Sequence, residues 1–380
     1  MTVTYDSLLY ASVELVASAA ITLVALWLIQ PLAPCLGLLD HPGGRKDHAV
    51  PTASTGGLAM LLGMLATLAW FTEWSALSVS FMGAASLLVL VGILDDVFDL
   101  RWWIRILAQC AAVLLMIYGG GVRVEHVGAI VGLDTTGLGV LSVPFTMFAT
   151  VGVINAINMS DGVDGLAGGI SLAALCMLTA AAVYSGNGLL AETLVIFAGA
   201  VVGFLLMNMR FPWQPRARVF MGNAGSAFLG FTIAWASFRL TQNHSHPVSP
   251  ILAPWLVATP LIDCVALLAR RLMRGQSPFR ADREHMHHLM LDAGFTPSQL
   301  TVAMIATNLV LGLLASLALR AKVPQPLLVL AFVGICLGYF WLTARRVRAV
   351  AAFQALNRGL TRLHLKPKTE LVSSTLGGEN

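Results

Sequence analysis

Asp95, Asp96 and Asp99 crowd three carboxylates into five residues at the end of a long apolar run. On a helical end Asp95 and Asp99 share a face, while Asp96 points about 100° away. Like charges this close raise one another's pKa, and negative charge opposes the dipole at a helix C-terminus. The cluster is unfavourable without a cation, which either Arg101 and Arg105 or a bound ligand can supply. A second set, Asn155-Ala-Ile-Asn-Met-Ser-Asp-Gly-Val-Asp-Gly-Leu, brings Asn155, Asn158, Asp161 and Asp164 within ten residues. These are the oxygen donors a hard divalent cation takes, and the glycines let backbone approach a ligand. An ordinary Asn/Asp/Gly turn is the competing reading.

Basic groups complete the inventory. Ser277-Pro-Phe-Arg-Ala-Asp-Arg-Glu-His-Met-His-His places Arg280, Arg283, His285, His287 and His288 in one loop. The histidines could be a metal tract, but two guanidinium neighbours suit phosphate oxygens better. Arg45, Lys46 and His48 form another basic set, with membrane-surface anchoring as the alternative. In Phe220-Met-Gly-Asn-Ala-Gly-Ser, Gly222 and Gly225 open an apolar segment, where free helix N-terminal amides can receive an anion or small residues can pack helices.

The elements that must position these islands are set by composition. Of 380 residues, 57% are hydrophobic and only 11% charged, with a mean hydropathy of +0.79. A water-exposed surface cannot be built from that, so an all-α polytopic membrane protein is expected. A span needs about 20 apolar residues, which allows roughly eleven. Eleven candidate segments lie near 8–31, 55–72, 76–94, 105–121, 140–157, 165–185, 188–207, 224–241, 251–269, 299–319 and 324–344. With the N-terminus outside (periplasmic) and the C-terminus cytoplasmic, the inner side receives all 23 Lys and Arg except Arg123, Arg239, Arg320 and Lys322. Every polar island then falls on the inner side. The net charge of +4 is accordingly a topological signal, and no nucleic-acid partner is expected. Met1–Ser7 carries no basic residue, so the first apolar run reads as a span rather than a cleavable leader. Cys35, Cys110, Cys176, Cys264 and Cys336 are scattered singly and suggest neither disulfides nor zinc. Residues 1–350 read as a single membrane domain and 351–380 as a basic, then polar, cytoplasmic tail.

Acidic groups for Mg²⁺, basic groups for phosphates and a site at the lipid boundary suggest phosphoryl transfer onto a lipid. In order and spacing, Leu94-Asp-Asp-Val-Phe-Asp, the 155–166 run, Val219-Phe-Met-Gly, Thr241-Gln through His246-Pro, and Ser277-Pro-Phe with His285-Met-His-His carry a resemblance over residues 1 to about 350. The chain resembles the polyprenyl-phosphate N-acetylhexosamine-1-phosphate transferases. That resemblance implies transfer of GlcNAc-1-phosphate from UDP-GlcNAc to undecaprenyl phosphate, releasing UMP and initiating a surface polysaccharide such as O-antigen. It implies Mg²⁺ (or Mn²⁺), a homodimer, and a bacterial inner-membrane enzyme facing the cytoplasm. Asp95 and Asp96 would serve catalysis or lipid-phosphate positioning, and Asn158 and position 223 the metal. Lys46, Asp99, Asn155, Asp161, Asp164, Arg280, Arg283, His285, His287 and His288 would bind substrates. Where the family has Met-Gly-Asp-Ala-Gly-Ser, this chain has Asn223, an amide in place of a charged ligand. Two readings follow: Asp161 or Asp164 compensates for the missing charge in a natural variant, or the change is an inactivating substitution that impairs metal binding and turnover. The rival readings are the same reaction on another UDP-N-acetylhexosamine, and a secondary transporter with charges near the bilayer midplane. Glu14, Glu192 and Asp263 are the only acids well inside the expected spans, and Asp263 reads as a packing or dimer-contact group.

Overall fold

The computed structural model describes residues 5–40, 50–129, 137–278 and 283–364. Fourteen α-helices form among them: α1 Tyr5–Ile29, α2 Gly56–Phe71, α3 Ala76–Phe98, α4 Trp102–Leu114, α5 Ser142–Ser160, α6 Leu166–Tyr184, α7 Gly188–Asn208, α8 Gly222–Thr241, α9 Leu252–Leu256, α10 Ala258–Met273, α11 Met286–Asp292, α12 Pro297–Arg320, α13 Gln325–Thr343 and α14 Arg346–His364. Local sequence sets several starts. Ser75 and Ser78 make a reciprocal cap before α3, and Thr296 and Gln299 do the same before α12, whose first residue is Pro297. The five cysteines are free.

Among the described residues eight apolar helical stretches are long enough to cross a membrane, α4 only with its π-helical continuation to Gly119, and the expected eleven is not reached on that measure. The three that fall short have physical reasons. α2 is only 16 residues long. α8 is the central helix, packed by α2, α3, α5 and α6. Almost all of it is buried, so it needs no lipid-facing apolar surface and carries Thr, Ser and Gly freely. The segment expected at 251–269 is broken at Val257 into α9 and α10. Asn308 of α12 repairs the break: its Nδ2 donates to the Leu256 carbonyl at 2.9 Å and its Oδ1 accepts from the Thr259 amide at 3.1 Å. Irregular backbone inside a bundle is tolerated where protein groups satisfy it.

The core lies along α8. Phe81 of α3 stacks on Phe197 of α7 at 5.1 Å between centroids and meets Trp235 of α8 at 4.7 Å. Large apolar side chains such as Trp27, Trp70, Tyr118, Phe148 and Leu189 remain on the outside of the bundle, as a lipid-facing surface requires. The start of α8 is fixed with unusual closeness. A Cβ on Gly57 would stand 2.3 Å from the Gly225 nitrogen, and one on Gly92 would stand 2.3 Å from the Ala224 Cα. A short antiparallel pair, β1 Leu39–Asp40 with β2 Thr52–Ala53, extends this anchor. Phe220 N donates to the Ala53 carbonyl at 2.8 Å, and Gly56 N to the Phe220 carbonyl at 2.9 Å. The described flanks of the first basic set, residues 39–40 and 52–56, are thus sewn to the segment that opens α8.

Candidate active site

The two neighbouring aspartates at the end of α3 do different things. Asp95 is buried; its Oδ1 accepts from the Leu100 amide at 2.9 Å and its Oδ2 from Arg105 Nη1 at 3.2 Å, so it ties α3 to α4. Asp96 turns the other way, as the helical register requires. Its Oδ1 accepts from the Asn223 amide at 2.9 Å, while Oδ2 is buried without a hydrogen-bond partner. Gly222, at φ +69°, makes this approach possible, because a Cβ there would lie 2.3 Å from that oxygen. The expectation of α8 amides open to an external anion is corrected: Asp96 itself takes the Asn223 amide. Asp99 is exposed and closes α3 in the left-handed conformation, φ +50°.

From α5, Asn158 Nδ2 donates to Asn223 Oδ1 at 3.1 Å and to Ser226 Oγ at 2.8 Å, which joins the second island to α8. Asn155 donates to Gln109 Oε1 at 3.0 Å. Between these groups, Asp95, Arg105, Gln109, Asn155, Asn158 and Asn223 line a cleft of about 50 Å³. Asp161 lies just beyond α5. Its carboxyl is pushed up to about 7, by crowding of the surrounding protein first and then by the charges of Asp96, Asp164 and Asp40. The residue itself reaches the surface. Asp164 is committed elsewhere. Its Oδ2 accepts from Arg210 Nε at 2.7 Å and from the Ala217 amide at 3.1 Å, fixing the loop between α7 and α8. Asn208 adds a further tie, accepting from the Gly165 amide at 2.9 Å and donating to the Val219 carbonyl at 2.8 Å.

These residues suit a hard cation of a particular kind. Among the described residues no three His, Cys, Asp or Glu converge as a ready metal cage. The orphaned Asp96 oxygen, the Asn158 and Asn223 amides and the Asp161 carboxylate instead offer a partial oxygen set. Mg²⁺ characteristically takes one or two carboxylates and completes its sphere with water and substrate phosphates. Mn²⁺ shares that preference for oxygen ligands.

The histidine loop closes over the same helix ends. A Cβ on Gly162 would lie 2.3 Å from His287 Nε2, so the ring sits against the turn that carries Asp161. His285 and His287 stack with planes 9° apart, and His288 lies 4.2 Å from His287 between centroids. Burial, then the charges of His288 and His285, push His287 down to about 3, so the ring is neutral near pH 7 in the ligand-free protein. Three arginines at the end of α10 hold the loop's shape. Arg270 Nη2 donates to the Glu284 carbonyl at 3.1 Å, Arg271 Nη1 to the Pro278 carbonyl at 2.6 Å, and Arg274 Nη1 to Glu284 Oε1 at 2.8 Å. Arg283 is exposed, and its carbonyl accepts from Arg346 of α14 at 2.8 Å. Lys46 and Arg280 lie outside the described residues.

Asp263 corrects the sequence reading most clearly. It is a loop anchor rather than a packing group: its Oδ1 accepts from the Met286 amide at 3.0 Å and Tyr339 OH at 2.7 Å, and its Oδ2 lies 3.2 Å from His285 Nδ1. Sequence reasoning also missed Gln109 and Asn208, and gave Arg210 no partner. The signal available was polarity itself, an amide or acid in an otherwise apolar helix.

Residues 78–241 match the profile of glycosyl transferase family 4. An undecaprenyl-phosphate alpha-N-acetylglucosaminyl 1-phosphate transferase of Escherichia coli O157:H7 is 34% identical over 363 residues, 93% of this chain and 98% of the relative. Proteins of the same name from Yersinia pestis and Haemophilus influenzae are 33% and 36% identical, over 90% and 73% of this chain and 95% and 78% of theirs. Similarity of this extent runs through every island of the site, and the chain therefore belongs to glycosyl transferase family 4 and is a membrane phosphoglycosyltransferase.

Proposed function

We propose that the enzyme transfers GlcNAc-1-phosphate from UDP-GlcNAc to undecaprenyl phosphate at the inner face of a bacterial inner membrane, initiating O-antigen or a related polysaccharide. One observation carries the reading: Asp96, Asn158, Asn223, Asp161 and His287, from four separate islands, meet at one end of the bundle. The names of the relatives support the substrates. An oxygen of the lipid phosphate forms a bond to the β-phosphorus, and the bond from that phosphorus to the α-phosphate's bridging oxygen breaks. The electron pair leaves with UMP. No strong base is needed, because a phosphate monoester with a second pKa near 6 is largely a dianion at neutral pH. Positioning and electrostatics then supply most of the rate.

Asp96 and Asn223, with Asn158 and Asp161, would hold Mg²⁺, which when bound neutralises pyrophosphate charge. Asp95 acts on the acceptor phosphate at the lipid side through Arg105, whose guanidinium it holds, and Asp96 through its place in the metal set. The histidine loop, with Lys46, Arg280 and Arg283, receives the nucleotide sugar, and the enzyme works as a homodimer. Eleven crossings with the N-terminus outside give this arrangement its sidedness. Single cysteines at the exposed positions 283 and 244, with exposed Cys35 and Cys176 replaced, test it: a reagent kept outside the cell should label only position 244. The substrate test uses protein in detergent with undecaprenyl phosphate and a panel of UDP-N-acetylhexosamines. UMP release should be fastest with UDP-GlcNAc, and faster release with another sugar reassigns the donor.

A further inference from the structure

A carboxylate set deep among membrane helices is costly unless donors surround it. Asp263, in α10, is 3% exposed, and its partners come from two other places. Tyr339 reaches it from α13, and both the His285 ring and the Met286 amide reach it from the histidine loop. Two donors, the Met286 amide and Tyr339 OH, converge on Oδ1, the pattern of an ionised, acceptor-only carboxylate; against such a carboxylate the His285 nitrogen facing Oδ2, Nδ1, carries a proton. The other ring nitrogen is then the one free to vary with a ligand. The Met286 bond also fixes the first residue of α11, and with it the direction in which His287 and His288 leave the loop.

We propose that Asp263 is a positioning residue: buttressed by Tyr339, it locks the rotamer and tautomer of His285 so that Nε2 is presented to the nucleotide sugar. This rests on the transfer reaction proposed above. Asp263 touches no substrate itself and acts through His285. A purely structural carboxylate in the same place would lower stability and affect both substrates alike.

A double-mutant cycle on the full chain separates these cases, with UDP-GlcNAc affinity measured calorimetrically alongside both KM values. Asp263→Asn should weaken UDP-GlcNAc binding about tenfold or more and leave the KM for undecaprenyl phosphate within about twofold. Combined with His285→Ala, it should add less than about twofold to the loss from His285→Ala alone. Tyr339→Phe should show a smaller loss with the same dependence on His285, and it carries the test if Asp263→Asn does not fold. Losses that multiply in the double variants, or equal shifts in both KM values, overturn the positioning role and leave the reaction standing. A parental protein that binds no UDP-GlcNAc overturns both.

Discussion

Asp95 and Asp96 are adjacent, but their substitution should have different costs. In Asp96→Asn the amide oxygen can keep the Asn223 bond, and the cost of burying a charged carboxylate disappears, although an NH2 takes the place of the unpartnered oxygen. Stability should hold or rise while transfer falls more than tenfold, about 1.4 kcal/mol of barrier. Asp95→Asn removes the charge that Arg105 faces, so it should also lower stability by ~1–3 kcal/mol, nearer the lower figure because Arg105 is part exposed. Thermal unfolding and UMP release on both variants check the contrast; equal stability losses would contradict it. Asn223 stands beside the same oxygen. Asn223→Asp adds a charge beside Asp96, which repels until a cation arrives. Turnover should rise by about 10²–10³ and become steeply dependent on Mg²⁺, the size expected for a direct electrostatic contact. Indistinguishable Mg²⁺ curves would remove position 223 from the metal site. Asp161 supplies the pH dependence. Its pKa is raised from 3.8 to about 7, so the folded state holds a proton that the unfolded state has lost between those values. Stability from this group therefore falls as pH climbs from about 4 through 7, and a cation offsets the loss. Mg²⁺ should raise the melting temperature more at pH 8 than at pH 6, and Asp161→Asn should abolish that difference.

At the scale of elements, the site depends on helices brought closer than side chains normally allow. α8 begins against α2 and α3 with backbone touching backbone, and Gly92 faces the Ala224 Cα rather than a side chain that could move aside. Gly92→Ala should displace the start of α8, cost about 1–3 kcal/mol as overpacking does, and lower transfer through Asn223 and Asp96. Thermal unfolding and activity together test this, and a parental profile would mean the contact relaxes freely. This dependence was only partly legible in sequence. Hydropathy located the apolar runs because a lipid-facing helix must be apolar on its outside, and α3, α5, α6, α7, α12 and α13 answer to it. It failed as a measure of spanning for α8, whose neighbours relieve it of that requirement, and for α9 and α10, whose break is repaired by Asn308 from a segment some fifty residues distant.

For the whole molecule, the legible part was which islands stand apart from the apolar helices and come together, because oxygen donors and glycines stand out in a chain with 11% charged residues. Division of labour among them was not legible. Asp164 and Asp161 look alike in the sequence, yet one is spent on Arg210 and the other stays open. Three arginines at the end of α10 serve the basic loop's carbonyls and Glu284, and Asp263 turned out to hold the histidines. Such assignments depend on contacts between segments far apart in the chain, which spacing alone does not encode. What unites the assembled groups is a demand for pyrophosphate chemistry at the lipid boundary. UDP-GlcNAc carrying ³²P in the β-phosphate and ³H in the sugar, incubated with protein, undecaprenyl phosphate and Mg²⁺, tests that demand directly. Both labels should enter the lipid fraction in equal amounts, matched by UMP in solution. Release of UDP with ³²P left in the aqueous phase would show transfer of the sugar alone and contradict phosphoglycosyl transfer.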